Sequence, residues 1–166
     1  YYELQDAIDD TTNALEQNQA AQAKTQTKEK LIKLQKEELK LAQQQIDAYK
    51  KLMKEQQLEA NQRRNSLLTA GFKFDEDGNI TNYSERLKKL QDYANSLSGE
   101  AKEQQIAYVK SIVDIIEAYT DLTNNTIPDT QNTINDLEQD LADLKDAHEE
   151  TKEAVESLAE EYYELD

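Results

Sequence analysis

The sequence predicts an all-α protein: long helices forming an antiparallel coiled coil or three-helix bundle, with one small β-hairpin inserted near residues 72–82. Three observations point there. Residues Ile134, Leu137, Leu141, Leu144, His148, Thr151, Val155, Leu158, Tyr162 and Leu165 alternate steps of three and four, the heptad signature of a coiled-coil seam. The 166 residues include only three Gly and one Pro, too few breakers for many short elements. A third of the residues are charged, 37% are apolar and none is Trp, which suits narrow seams between helices better than a broad core.

The first element is expected to be one helix over residues 1–70. A step of seven runs through Leu4, Thr11, Asn18, Thr25, Ile32, Leu39, Ile46, Met53, Ala60 and Leu67. The neighbouring row is small or polar, and from Asn18 to Lys28 the seam is polar outright. Residues 71–83, GFKFDEDGNITNY, hold both Phe and two of the three Gly. Phe72, Phe74 and Ile80 there flank the turn formers Asp75, Asp77, Gly78 and Asn79, the composition of a hairpin closing on Asp-Gly or Gly-Asn.

Helices over residues 83–123 follow. Asn82 with Glu85 has the spacing of a capping box, so one helix starts near residue 83 and runs to the interruption at Ser98-Gly99. Ser98 then caps a helix over 99–123, in which Ile106, Val109, Ile112, Val113, Ile116 and Tyr119 face one side. Residues 122–127 form a polar break, and Pro128 fits the first position of a last helix over 128–165. The expected path reverses at the hairpin and again at 126–128. That sets the last helix beside residues 30–68 and leaves Asn18 to Lys28 unpaired or paired with another copy.

Charge is unevenly spread. The net charge of −16 argues against a general nucleic-acid binder and against contact with an anionic membrane. Residues 24–64 are basic on balance, while the last helix is strongly acidic, so the two faces should attract each other. Cysteine is absent, which excludes a disulfide framework, a thiolate metal site and a thiol nucleophile. No run approaches the ~18 apolar residues of a membrane span. The chain begins with Tyr-Tyr and stops in mid-pattern at Asp166, so it reads as a single elongated segment of a larger protein. The motif YYEL occurs at residues 1–4 and again at 162–165, an offset of whole heptads that would fit a repeated rod unit.

Chemical candidates are few. His148 is the only histidine and lies on the heptad seam, where a polar residue fixes register rather than catalyses. Asp75, Asp77 and Asn79 echo the alternating oxygens of a calcium loop. Ile80 stands where that loop needs Gly, and no Glu lies at its twelfth position, so turn chemistry accounts for them. The basic stretch from Lys24 to Arg64 is interleaved with Gln and Glu rather than stacking aromatics, which favours a solvated or acid-paired face over a phosphate track. No cofactor, metal site or enzymatic activity is expected.

A Gln/Lys-rich helix ending in SLLTAGFKFDEDGNITNYSERLKKL, then a helix, then TIPDTQNTINDLEQDL opening an acidic helix, resembles central segments of tail tape measure proteins of tailed phages and prophages. The likeness covers about residues 31–144. It implies a virion protein of the tail lumen that sets tail length, with protein partners such as other copies, the tail tube or assembly chaperones. It brings no catalytic residues. A ruler that counts helical rise should be extended, whereas a hairpin invites the chain to fold back. Two other classes fit the same residues: a bacterial, cytoplasmic coiled-coil spacer, and an adaptor that contacts its partner through an exposed Phe72 and Phe74 at the hairpin tip.

Overall fold

A chain patterned in this way must bury its apolar rows between helices, and it does so in the computed structural model. The structure describes residues 2–24 and 27–164, and side-chain surroundings for 2–23 and 27–157. The elements are α1 (Tyr2–Lys24), α2 (Lys28–Thr69), α3 (Tyr83–Ser96), α4 (Gly99–Asp121), a π-helical turn (Leu122–Thr126) and α5 (Ile127–Glu164). They form two compact units, one made by the chain through Met53 together with the chain from Thr130, the other by Lys54–Asp129.

In the first unit α1, α2 and α5 form a helical bundle. Ala42, Ile46 and Leu141 are its buried centre, and Leu15, Leu39, Leu137 and Leu144 pack around them. The expected single helix over 1–70 is corrected here: α1 ends at Lys24, α2 starts at Lys28 and Thr27 is outside both. The position Thr25 on the step-of-seven row lies outside the described residues. Between Leu15 and Leu31 the chain has no apolar side chain larger than Ala, so nothing holds a straight helix against a neighbour. Lying α1 on α2 instead buries Ile8 to 3% exposure.

Where they touch, α1 and α2 run in opposite directions, with Gln45 donating to the Thr12 hydroxyl at 2.9 Å and Asn18 donating to the Leu34 carbonyl at 2.9 Å. Asn18 is therefore buried and paired within the chain, not left for another copy. Across to α5, Lys50 meets Glu138 at 3.1 Å and Gln35 meets Thr151 at 3.3 Å, again in opposite senses.

The second unit contains the segment expected as a hairpin, and no strand exists among the described residues; a single antiparallel bridge joins Phe74 and Ile80. The ladder stops for an identifiable reason. Two backbone bonds, Asp75 to Asn79 and Thr81 to Lys73, flank the bridge, but the next donor, the Lys73 amide, goes to the Asn82 side chain at 2.8 Å. Asn82 also donates to the Gly71 carbonyl at 3.1 Å, so it fastens the loop and leaves no side-chain bond for the first turn of α3. Ser98 likewise precedes α4 without a side-chain capping bond. Both capping expectations are corrected accordingly.

The end of α2 is closed by backbone geometry. Phe72 donates to Leu67 and Gly71 to Leu68, the paired bonds of a Schellman ending, with Gly71 at φ +96°. The apolar contact typical of that ending joins Leu67 and Phe72, and both are fully buried. Arg86 donates through Nε to the Ala70 carbonyl at 2.7 Å, and a Cβ on Gly71 would meet that nitrogen at 2.5 Å. Gly71→Ala should therefore lose about 1–3 kcal/mol from the strained φ and displaced Arg86. Chemical denaturation checks this, and a variant as stable as the parent would show that the ending tolerates a side chain.

The expected reversal at 126–128 is also corrected. Asp121, Leu122 and Ile127 all keep right-handed helical angles, and Ile127 donates to the Leu122 carbonyl five residues back, so α4 passes into α5 through one widened turn. The polar residues between Leu122 and Ile127 look like a break, but both flanking side chains are apolar and at least half buried. A step of five is too long for one α turn and suits a π turn. Pro128 favours the widening too, since it lacks an amide hydrogen and its ring crowds the carbonyl four residues earlier.

Removing the exposed Asn124 would restore steps of three and four from Tyr119 through Leu141. In a Pro128→Ala background, that deletion is expected to leave the melting temperature unchanged or higher. Deleting Ala142, which throws Leu144 and His148 off the seam, should lower it by several degrees, about what 1–2 kcal/mol produces in a chain of this size. Equal losses from the two deletions would refute this account of the turn.

Candidate functional site

The most elaborated local structure is the loop from Gly71 to Asn82 with the face of α4 and the π turn beside it, all in the second unit. Asp75 organises the loop itself. The Asp75 carboxylate accepts the amides of Asp77 and Asn79, both at 2.9 Å, and the Gly78 amide donates to the Asp75 carbonyl at 3.2 Å. Those amide bonds, Asn79's foremost, hold the exposed Asp75 carboxyl below its ordinary pKa. They favour the ionised loop above the ordinary carboxylate range, and this contribution fades as pH falls through the lowered value. Asp77 is exposed, and Gly78 takes φ +83°, an angle the turn requires.

The loop is fastened to the helices by aromatic contacts. Phe74 meets Tyr119 edge-on at 5.4 Å, the Arg64 guanidinium lies 5.1 Å over the Phe74 ring, and Tyr119 donates to the Gly78 carbonyl at 2.7 Å. Burial raises the Tyr119 phenol above its usual pKa, so its hydroxyl remains a donor to Gly78 throughout the neutral range. An open groove runs beside these contacts, between Asn79, Ile80 and Tyr83 on one side and Glu117, Asp121 and Asn124 on the other.

Several seam residues named from sequence sit in the packing. Ile46, Val109, Ile116, Ile134 and Leu141 are buried. Ile32, Leu39, Met53, Val113, Leu137, Leu144 and Val155 are half buried. Leu158 lies outside the residues whose side chains are described, as do Tyr162 and Leu165. Ile106 is corrected: it is 51% exposed, at the rim of a shallow hollow with Val109, because the end of α3 sets only the small Ala94 and the polar Gln91 and Asn95 beside it. Phe72 is corrected as well. It is 1% exposed, inside the core with Leu67, Leu90, Ile112 and Tyr119, while Phe74 and Ile80 pack half buried against that core. No exposed Phe pair is available to a partner.

His148 is buried in the first unit, with Nδ1 3.4 Å from the Gln35 amide oxygen. No described hydroxyl, thiol or carboxylate is hydrogen-bonded to it as a nucleophile or orienting acid would be. Among the described residues no group of three or more His, Cys, Asp or Glu is placed to hold a metal ion, and no helix is long and apolar enough to cross a membrane. Arg64, Arg86 and the π turn escaped the sequence reading. Arg64 was indistinguishable from its basic neighbours, and a side chain that ties a loop to a helix end leaves no periodic trace.

No known protein family, curated protein or solved structure matches the chain.

Proposed function

We infer that this chain is a non-catalytic structural segment whose helices pair as an antiparallel coiled coil, and that its parent is a phage tail tape measure protein acting in the tail lumen. The observation that carries the structural part is where the polar chemistry goes. His148 and Thr151 are held by Gln35, Thr12 by Gln45, and Asn18 by a backbone carbonyl, so the polar seam residues set which helix faces which. The tape measure part rests on the likeness of residues 31–144 and on the long, heptad-patterned α2 and α5. Its partners would be other copies, the tail tube and assembly chaperones.

A bacterial coiled-coil spacer is the second reading, and the return of α1 along α2 favours it, because a ruler that counts helical rise does not need to double back. One experiment separates the two. In-frame excision of these codons from the encoding phage or prophage should shorten the tail, measured by electron microscopy. Full extension at 1.5 Å per residue would remove about 250 Å, and a doubled-back segment visibly less. An unchanged tail length would reject the ruler and leave the spacer.

A further inference from the structure

In the first unit, the outward faces of α2 and α5 carry charge patterns that match each other. On α2, Lys33, Lys36, Lys40, Gln44, Asp47 and Lys51 recur at steps of three and four, opposite the seam, and all six are exposed. On α5, Asp136, Gln139, Asp143, Asp146, Glu150 and Glu153 do the same, and all are exposed. Each stripe runs about 27 Å at 1.5 Å per residue. Among the described residues none of these four lysines makes an ion pair, whereas Lys50, nearer the seam, is matched to Glu138. Within the chain the two stripes cannot meet, because α2 and α5 face each other through Leu39, Ala42, Ile46, Leu137, Leu141 and Leu144.

We propose that the α2 stripe of one copy docks on the α5 stripe of a second copy, with the two helices antiparallel and Lys33 opposite Glu153. In this register Lys36 falls opposite Glu150, Lys40 opposite Asp146 and Lys51 opposite Asp136. The one acid of the α2 stripe, Asp47, falls opposite the one uncharged acceptor of the other, Gln139. A parallel arrangement starting from Lys33 and Asp136 would instead set Asp47 against Glu150, a like-charge contact. The charge pattern therefore selects direction as well as partner. The contact joins two different patches, so it generates a closed ring or an open array rather than a two-fold dimer. It does not depend on which parent protein carries the segment.

Because the contact is made by opposite charges at exposed positions, salt screens it, and low ionic strength is the condition under which it forms. Sedimentation velocity of the chain at about 50 mM salt should show species heavier than the 19.1 kDa monomer, dissociating at about 500 mM. Lys36→Glu with Lys40→Glu should weaken association at least about tenfold, and so should Asp146→Lys with Glu150→Lys. Mixing those two variants should restore it, since each supplies the charge that the other lacks. Gln139→Glu, which opposes Asp47, should weaken it, as the parallel register would not require. All these positions are exposed, so helix content by circular dichroism should not change. A monomeric parent at low salt, association indifferent to charge reversal, or failure of the mixture to assemble would each overturn the proposal.

Discussion

Phe72→Ala is expected to lower the stability of the chain by about 3–5 kcal/mol, the range for truncating a large aromatic in a packed core. Phe72 is the largest of the fully buried side chains, and its ring serves two purposes. It fills the space among Leu67, Leu90, Ile112 and Tyr119, and it is the apolar half of the contact that closes the α2 ending. Ala removes both, leaving a cavity beneath the loop rather than a surface that can relax into solvent. Denaturant unfolding gives the total, and hydrogen exchange locates it: the amides that should lose protection first are those of Phe72, Lys73 and Thr81. Phe74→Ala is the comparison. That ring is half buried, so its loss should be smaller even though the edge contact with Tyr119 and the Arg64 stacking go with it. A Phe72 effect below about 1 kcal/mol, or no larger than that of Phe74, would mean that the loop is not anchored through the core.

Legibility in the sequence followed the length of the pattern. The rows through Ile46, Ile116, Ile134 and Leu141 were readable because a helix repeats its burial every three or four residues, and many repeats outvote any single polar member. Three other features have no such redundancy. The loop contains every residue a hairpin wants, yet Asn82 takes the Lys73 amide and ends the ladder after one bridge. The polar run between Leu122 and Ile127 carries two Asn and is followed by Pro128, and the same composition serves equally for a loop or a widened turn. Only the facing of the two apolar flanks distinguishes them. The reversal between α1 and α2 was present as a loss of apolar residues after Leu15, which gives no direction for the chain that follows. Burial of Asn18 against the Leu34 carbonyl shows why that polar stretch is no gap in the seam: it is a place where the seam is hydrogen-bonded instead. The candidate site was legible as a cluster of turn formers and aromatics, but not the inward direction of Phe72, which depends on Gly71 and on Arg86 arriving from α3.

The second large effect belongs to the other unit. Ile46→Ala should lower stability by about 2–5 kcal/mol, since Ile46 is 1% exposed at the point where Ala42, Leu141 and the flanking leucines converge. Polar pairs also hold this bundle together. Thr12 with Gln45 and Gln35 with His148 would each have to shift together with their hydrogen bonds. The loss should therefore lie toward the upper part of that range. It should also be local: exchange protection should fall around Ile46, Leu141 and Leu15 while the amides of Phe72 and Thr81 keep theirs, the reverse of the pattern expected for Phe72→Ala. Ile46→Val, which removes one methylene, should cost only about 0.5–1.5 kcal/mol and keep the same exchange pattern. If Ile46→Ala instead loosened both regions equally at low denaturant, the two packed units would open as one cooperative body. A loss no greater than that of Ile46→Val would show that the bundle is held by its polar layers rather than by this apolar centre.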